Sequence, residues 1–215
     1  SVTLYEKSDK LGGVFIAAAA PSFKEKDRDL IKWYEREVAR NPITVELNTE
    51  VKDIESLGAD EVIVATGAKA RKLPIPGIEK SMEAVDYLLS EDLDEIGKNV
   101  VVIGGGLTGC EIAYELFLRD KKPVIVEAKH DLIVSDKVPL PNSSYLRDFF
   151  ISNKVPTYVE ASVKEIKDGS VVIAEKDCTV KELKADTTDE KDYEFFKKLV
   201  DLGDFIGATG EIITT

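Results

Sequence analysis

The sequence predicts an α/β fold in which parallel strands alternate with helices, and three observations carry that expectation. The apolar run Asn99–Ile103 enters Gly104-x-Gly106-x-x-Gly109 and then a helix-like stretch ending at Leu118. A second apolar strand, Pro123–Val126, ends in an acid, Glu127, placed 18 residues after Gly109. A third short strand, Val2–Tyr5, also ends in an acid, Glu6. Strand, glycine turn, helix, strand and acid in that order form the dinucleotide-binding fingerprint. Two Rossmann-like dinucleotide-binding domains are therefore expected.

The elements follow from pattern. Leu11-Gly12-Gly13 reads as a turn or a close backbone approach, and Ala17–Ala20 before Pro21 as a loop of small residues. Asp27–Arg40 reads as a helix, because Leu30, Tyr34 and Val38 recur every four residues with charges opposite. Asn41-Pro42 stops it, and Ile43–Leu47 alternates as a strand. Glu61–Ala65 is an apolar strand running into Thr66-Gly67. Leu73-Pro74-Ile75-Pro76-Gly77 disfavours helix and central strand, so a domain boundary is expected there. Ala84–Leu93 and Ser143–Ser152 read as helices, Thr157–Glu160 and Ser170–Ala174 as strands. Further on, Phe195–Leu202 reads as helical and Asp204–Gly207 as a short strand, after an acidic, solvated run at Asp186–Asp192.

Composition limits the chemistry. The 215 residues are 43% hydrophobic, enough for a core, and 41 acidic against 29 basic residues leave a net charge of −12. Such a surface repels nucleic acid and anionic lipid, so neither is expected as a partner. Two cysteines, Cys110 and Cys178, match no disulfide framework or metal motif, and Cys110 is expected to pack in a helix. The lone histidine, His130, makes a zinc site or a histidine triad improbable and is expected in a loop. No apolar run reaches the roughly 20 residues that span a bilayer, and no signal peptide is evident, so a cytoplasmic setting is expected.

The glycine motif carries the chemistry. Gly104 permits the tight turn, Gly106 lets backbone approach a pyrophosphate, and Gly109 lets the helix pack on its strand. The helix start, with Leu107 and Thr108, offers amides and the positive dipole end to phosphate. Glu127 is placed to accept hydrogen bonds from the adenine-ribose hydroxyls. Glu6 would play the same part in a second unit, or is an ordinary strand-end acid. The small residues Ala65-Thr66-Gly67 would let the chain pass close to a cofactor, or form a plain turn.

The stretches YEKSDKLGG, IKWYEREV, TEVKDIESLGADEVIVATGA, LPIPGIE, NVVVIGGGLTGCEIAYEL and SSYLRDFFISNKVPTYVEASVKEI cover most of residues 2–187. With them the chain resembles the C-terminal part of the NADH:flavin oxidoreductases of the Old Yellow Enzyme type. Relatives of that type are 2,4-dienoyl-CoA reductase, 2-enoate reductase and trimethylamine dehydrogenase. The resemblance implies an NAD(H)-binding domain at residues 76–187, inserted in a split and incomplete FAD- or ADP-binding domain at 1–75 and 188–215. It implies that Glu6, Lys7, Gly12, Gly13, the strand-end pair Glu50-Val51 and Ala65-Thr66-Gly67 contact the flavin nucleotide. Gly104, Gly106, Leu107, Thr108, Gly109 and Glu127 would contact NAD(H), with Glu111 toward the nicotinamide. Gly207 stands where the family has Gly-Asp on the flavin, yet Ala208 follows here. A strand, glycine turn and helix are expected before Ser1, since the first turn of the FAD unit is absent.

Two functions remain open. One is the cofactor-binding part of an enzyme, which takes hydride from NADH and passes electrons through FAD to a separate flavin and iron–sulfur barrel domain. That domain would reduce an activated C=C bond of an enoate or enoyl-CoA, and any homo-oligomer would form through the parent protein. No side chain need act as acid or base, so no catalytic residue is named, and no turnover of the final substrate is expected from this chain alone. The other is a non-redox module that binds ADP or NAD in a structural role.

Overall fold

The structure, a computed structural model, describes residues 1–90, 96–135, 137–185 and, in backbone only, 199–200. The chain divides into two compact units, Ser1–Ala68 and Lys69–Thr215.

In the first unit β1 (Val2–Tyr5) pairs in parallel with β2 (Ile43–Glu46), from Val2 opposite Ile43 to Tyr5 opposite Glu46. Parallel neighbours need a crossover, which α1 (Val14–Ala18) and α2 (Glu25–Arg40) provide. The Gly12-Gly13 turn takes φ values of 117° and 50°, so glycine is required where the chain leaves β1 for α1. Arg28 ties the two helices: its Nη1 donates to the carbonyls of Ala19 (2.7 Å) and Pro21 (2.6 Å). The side chain of Asn41 closes α2 by donating to the Glu37 carbonyl at 2.7 Å.

The second unit holds a five-stranded parallel sheet in the order β3–β10–β4–β5–β6. Its strands are β3 (Met82–Glu83), β4 (Asn99–Ile103), β5 (Lys122–Val126), β6 (Thr157–Tyr158) and β10 (Leu199–Val200). Helix α3 (Ala84–Leu89) follows β3, α4 (Leu107–Leu118) links β4 to β5, and α5 (Leu140–Ser152) precedes β6. Valines and isoleucines make β4 apolar on both faces, as a covered parallel strand must be, and Val100–Val102 are buried. Cys110, Ile112, Ala113 and Leu116 form the buried stripe of α4 at the spacing of one helix face. A three-stranded antiparallel sheet follows, of β7 (Ser162–Lys167), β8 (Ser170–Ala174) and β9 (Val180–Lys184). Its buried Ile166, Val171 and Ile173 join Val101, Ile103 and Val126 in one core cluster.

Several expectations need correction. Of the loop expected at Ala17–Ala20, Ala17 and Ala18 instead close the helix Val14–Ala18, because alanine is the best helix former and Ala17 packs inside. Glu61–Ala65 is not a strand: its apolar side chains suit one, but no described strand lies beside it, and Ile63 is 93% exposed. A ladder needs two chains. Helix α3 ends at Leu89, and residues 91–95 lie outside the described residues. Strand β6 stops at Tyr158, since Glu160 takes a positive φ of 50°. Leu199–Val200, expected as helix in the first domain, is a strand between β3 and β4. The acidic run from residue 186, the strand at 204–207 and Gly207 lie outside the described residues.

The Pro-rich stretch is not a free linker. Leu73, Ile75 and Ile78 pack on the β7–β8 core, and Ile166 N–H donates to the Pro76 carbonyl at 2.8 Å. The stretch belongs to the compact unit that begins at Lys69. Gly77, at φ 82°, sits where an added Cβ would lie 1.9 Å from the Ile166 carbonyl oxygen. Gly77→Ala is expected to destabilise the second unit by about 2–4 kcal/mol, since it adds backbone strain to a backbone clash. Urea-unfolding midpoints of the two proteins check it, and equal midpoints would refute the clash.

Candidate functional site

The register of β4 and β5 builds the site. Ile103 lies opposite Val126, so the turn that leaves β4 and the acid that ends β5 emerge at one level. Gly104 takes φ 104° and donates to the Val126 carbonyl at 2.8 Å. The next amide, of Gly105, donates to Glu127 Oε2 at 2.6 Å. Glu127 Oε1 accepts the Lys129 amide, also at 2.6 Å. The carboxylate is thus fixed beside the glycine turn by two backbone donors. An ionised carboxylate has roughly four acceptor positions, so capacity remains for the hydroxyls of a ribose. Lys129, which could soften the charge there, directs its ammonium toward the Val134 carbonyl at 3.4 Å.

After the turn, Gly106 caps α4, and Leu107, Thr108 and Gly109 form its first turn, which holds no acidic residue. First-turn amides lie outside the helix's own ladder, and with the dipole they suit an anion. Cys110 is a buried packing residue, as expected, and its thiol lies 3.4 Å from the Gly105 carbonyl. Glu111 is half-buried one position further on.

A close approach falls on Gly105, a glycine that the G-x-G-x-x-G spacing passes over. An added Cβ at Gly105 would lie 2.5 Å from Leu132 Cδ2 and 3.0 Å from Glu127 Cβ. The Ile133 amide donates to the Gly105 carbonyl at 2.7 Å. The loop Asp131–Ile133 therefore backs the turn. The run of three glycines in the sequence was the signal for Gly105, whereas nothing in the spacing pointed to Leu132 or Ile133.

The first unit repeats this geometry at its own strand end. The Glu6 amide donates to the Glu46 carbonyl, as the Glu127 amide donates to that of Tyr158. Thr49 N–H donates to Glu6 O, as Ala161 N–H donates to Glu127 O. Asn48 N–H donates to Ser8 O, as Glu160 N–H donates to Lys129 O. Asn48 and Glu160 both hold positive φ, 53° and 50°. In each case the glutamate accepts the amide two residues on, Ser8 at 2.8 Å and Lys129 at 2.6 Å. Strands β1 and β2 are thus the counterparts of β5 and β6.

The other first-unit candidates are placed less closely. Gly12 and Gly13 shape the entry to α1, and a Cβ at Gly12 would meet Ile16 Cγ1 at 2.8 Å. Lys7 and Val51 are exposed, and Ala65-Thr66-Gly67 lie in exposed irregular backbone with Gly67 at φ 71°. Among the described residues, no glycine turn stands beside Glu6 as Gly104–Gly106 stands beside Glu127. The described residues of the first unit thus hold a strand-end carboxylate with no glycine turn beside it. Among the described residues there is no cluster that could hold a metal ion and no helix long and apolar enough to cross a membrane.

Parallel βαβ architecture, a glycine turn and a fixed strand-end carboxylate define the class: a nucleotide-dependent oxidoreductase fold. Residues 52–195 match the family model described as pyridine nucleotide-disulphide oxidoreductase. The chain belongs to that family, whose cofactors are FAD and NAD(H). It is 35% identical over 175 residues to cinnamate reductase of Clostridium sporogenes, covering 80% of this chain and 26% of that protein. It is 34% identical over 154 residues to NADH oxidase of Thermoanaerobacter brockii, covering 69% of this chain and 24% of that one. The solved structure of a 2-naphthoyl-CoA reductase complex shares the fold, with a TM-score of 0.76 and 23% identity over 93% of this chain and 29% of that one. The chain spans about a quarter of the length of these curated relatives. It is an oxidoreductase module related to the enoate and enoyl-CoA reductases.

Gly105→Ala is expected to push Leu132 and Glu127 apart and to weaken NADH binding at least about tenfold. Isothermal titration with NADH checks it, and unchanged affinity would mean that the turn tolerates a Cβ.

Glu6 gives a pH dependence. The amide and hydroxyl of Ser8 both donate to its carboxylate, at 2.8 Å each, and hold its pKa below the usual value of 4.5. A folded-state pKa below the unfolded one contributes stability above the unfolded pKa, lost as pH falls through the folded one. The stability difference between the unmodified chain and Glu6→Gln is therefore expected to be constant near neutral pH and to shrink below 4.5. Unfolding curves from pH 7 to 3 check the sign.

Proposed function

We propose that the second unit binds NADH on Gly104–Gly109 and Glu127, and that the first unit takes the adenosine end of FAD at Glu6. The observation that carries this reading is the Gly105–Glu127 hydrogen bond, which sets a carboxylate beside the glycine turn, as a ribose acceptor next to a phosphate cradle would require. The repeat of the same strand-end geometry at Glu6 supports a second nucleotide site. Leu107, Thr108 and Gly109 would hold the pyrophosphate with backbone amides, and Glu111 would lie toward the nicotinamide. In the first unit Lys7, Gly12, Gly13, Val51 and Ala65-Thr66-Gly67 would line the flavin nucleotide. Bound together, these cofactors supply hydride transfer from nicotinamide to flavin, and the residues named here bind and orient them. Electrons would pass on to a separate barrel domain of the parent protein, which reduces an activated C=C bond. The cinnamate and 2-naphthoyl-CoA reductases among its relatives support a substrate of the enoate or enoyl-CoA class. A flavin absorbance spectrum of the purified chain tests the redox reading, while colourless protein carrying ADP would favour a structural nucleotide instead.

The site is expected to prefer NADH to NADPH. With NADPH the Glu127 carboxylate would face the 2′-phosphate. Unit charges about 4 Å apart at an effective dielectric near 20 repel by about 4 kcal/mol. Solvent and side-chain adjustment bring this to about 1.4–2.8 kcal/mol, or ten- to a hundredfold in affinity. Titration of both cofactors into the unmodified chain and Glu127→Ala checks it. Equal affinities in the unmodified chain, or a preference that survives the substitution, would remove Glu127 from this role.

A further inference from the structure

We propose that Arg147 is a positioning residue for cofactor discrimination: it holds the loop that fixes Gly105 and, through it, Glu127. The proposal rests on the NAD(H) reading of that site. Arg147 belongs to α5, on neither the glycine turn nor the strand that carries Glu127. Its Nε donates to the Leu132 carbonyl at 3.0 Å, and its Nη2 donates to the carbonyls of Leu132 (2.5 Å) and Ile133 (3.2 Å). The same Nε lies 3.1 Å from Asp131 Oδ2, while Asp131 Oδ1 accepts the Leu132 amide at 2.7 Å. One guanidinium thus grips two successive carbonyls and a carboxylate of one loop. A planar fork can do this, and an ammonium, a single point donor, cannot reproduce it.

The loop requires a grip. Ile133 sits at φ 50°, in the left-handed region that is a genuine outlier for a β-branched residue. Such a conformation persists only where its surroundings over-determine it. In that conformation the Ile133 amide reaches the Gly105 carbonyl at 2.7 Å, and Leu132 closes on the Gly105 Cα. The amide of the same residue, on the preceding peptide group, holds Glu127 Oε2. Arg147, loop, Gly105 and Glu127 form one continuous chain of hydrogen bonds. When the grip is released, Ile133 relaxes toward an ordinary φ, its amide leaves Gly105, and the carboxylate loses its fixed place against the ribose. The contacts of the helix start with the pyrophosphate are shared by both cofactors and do not run through this loop. Discrimination at the 2′ position therefore falls further than binding in common.

The test is titration of NADH and NADPH into the full chain carrying Arg147→Lys, and separately Asp131→Asn, which keeps Arg147 but removes the charge that orients it. Melting temperatures are measured beside both. Arg147→Lys is expected to lower the NADH-to-NADPH affinity ratio about five- to tenfold, and Asp131→Asn to lower it less, in the same direction. Equal weakening of both cofactors, tracking the loss of melting temperature, would make Arg147 merely structural and overturn the proposal. A ratio kept by Arg147→Lys but lost in Glu127→Ala would overturn the Arg147 link alone. Failure of NADH to bind the unmodified chain would overturn the site reading, and this proposal with it.

Discussion

The hydrogen bond from the Gly105 amide to Glu127 is the constraint on which the second unit's site depends. It exists because β4 and β5 pair in parallel with Ile103 opposite Val126. A shift of one residue in that register would exchange the two buried faces of the strand and carry the acid away from the turn. The packing that fixes register is therefore the packing that fixes the Glu127 carboxylate beside the turn. Core residues such as Val101 and Val126 thus help to place the turn and the acid at one level.

The two strand ends show what is local in this design and what is not. The bonds from Glu46, Asn48 and Thr49 to the Glu6 turn recur, position for position, between Tyr158, Glu160 and Ala161 and the Glu127 turn. A strand-end glutamate that accepts the amide two residues on, opposite a residue of positive φ, is evidently a stable local solution. It recurs between pairs with unrelated side chains, Asn48 and Glu160. What distinguishes the second unit is the third strand, β4, which brings a glycine turn to the carboxylate.

Much of this was legible in the sequence. The Asn99–Glu127 pattern gave the βαβ unit with its turn and acid in the right relation, because a strand–glycine–helix sequence has few ways to pack. Of the antiparallel sheet, β8 (Ser170–Ala174) was legible but β7 and β9 were not, although Asp168-Gly169 between alternating strands is a strong hairpin signal. The Glu61–Ala65 strand failed for the opposite reason. Its composition is right for a buried strand, but composition does not supply a neighbour. The loop behind the turn was invisible, since Ile133 has poor propensity for the conformation it holds. Arg147, lying 15 residues from Leu132, meets it only through the tertiary placement of α5.

The two glutamates differ in what orients them, and the difference has consequences. Glu6 is held by the amide and hydroxyl of Ser8, two residues away. Its direction is a property of a short turn and survives changes elsewhere. Glu127 is held on one oxygen by its own turn and on the other by Gly105, across a strand pair. Gly105 in turn answers to Leu132 and Ile133, and they to Arg147. A carboxylate tied at both oxygens is better defined than one tied at a single oxygen, and definition matters most where a charge must accept a hydroxyl and reject a phosphate. The same arrangement exposes it to disturbance from α5. In this unit the direction of the Glu127 carboxylate is a tertiary property, whereas the strand-end turn that carries it is a secondary-structure one.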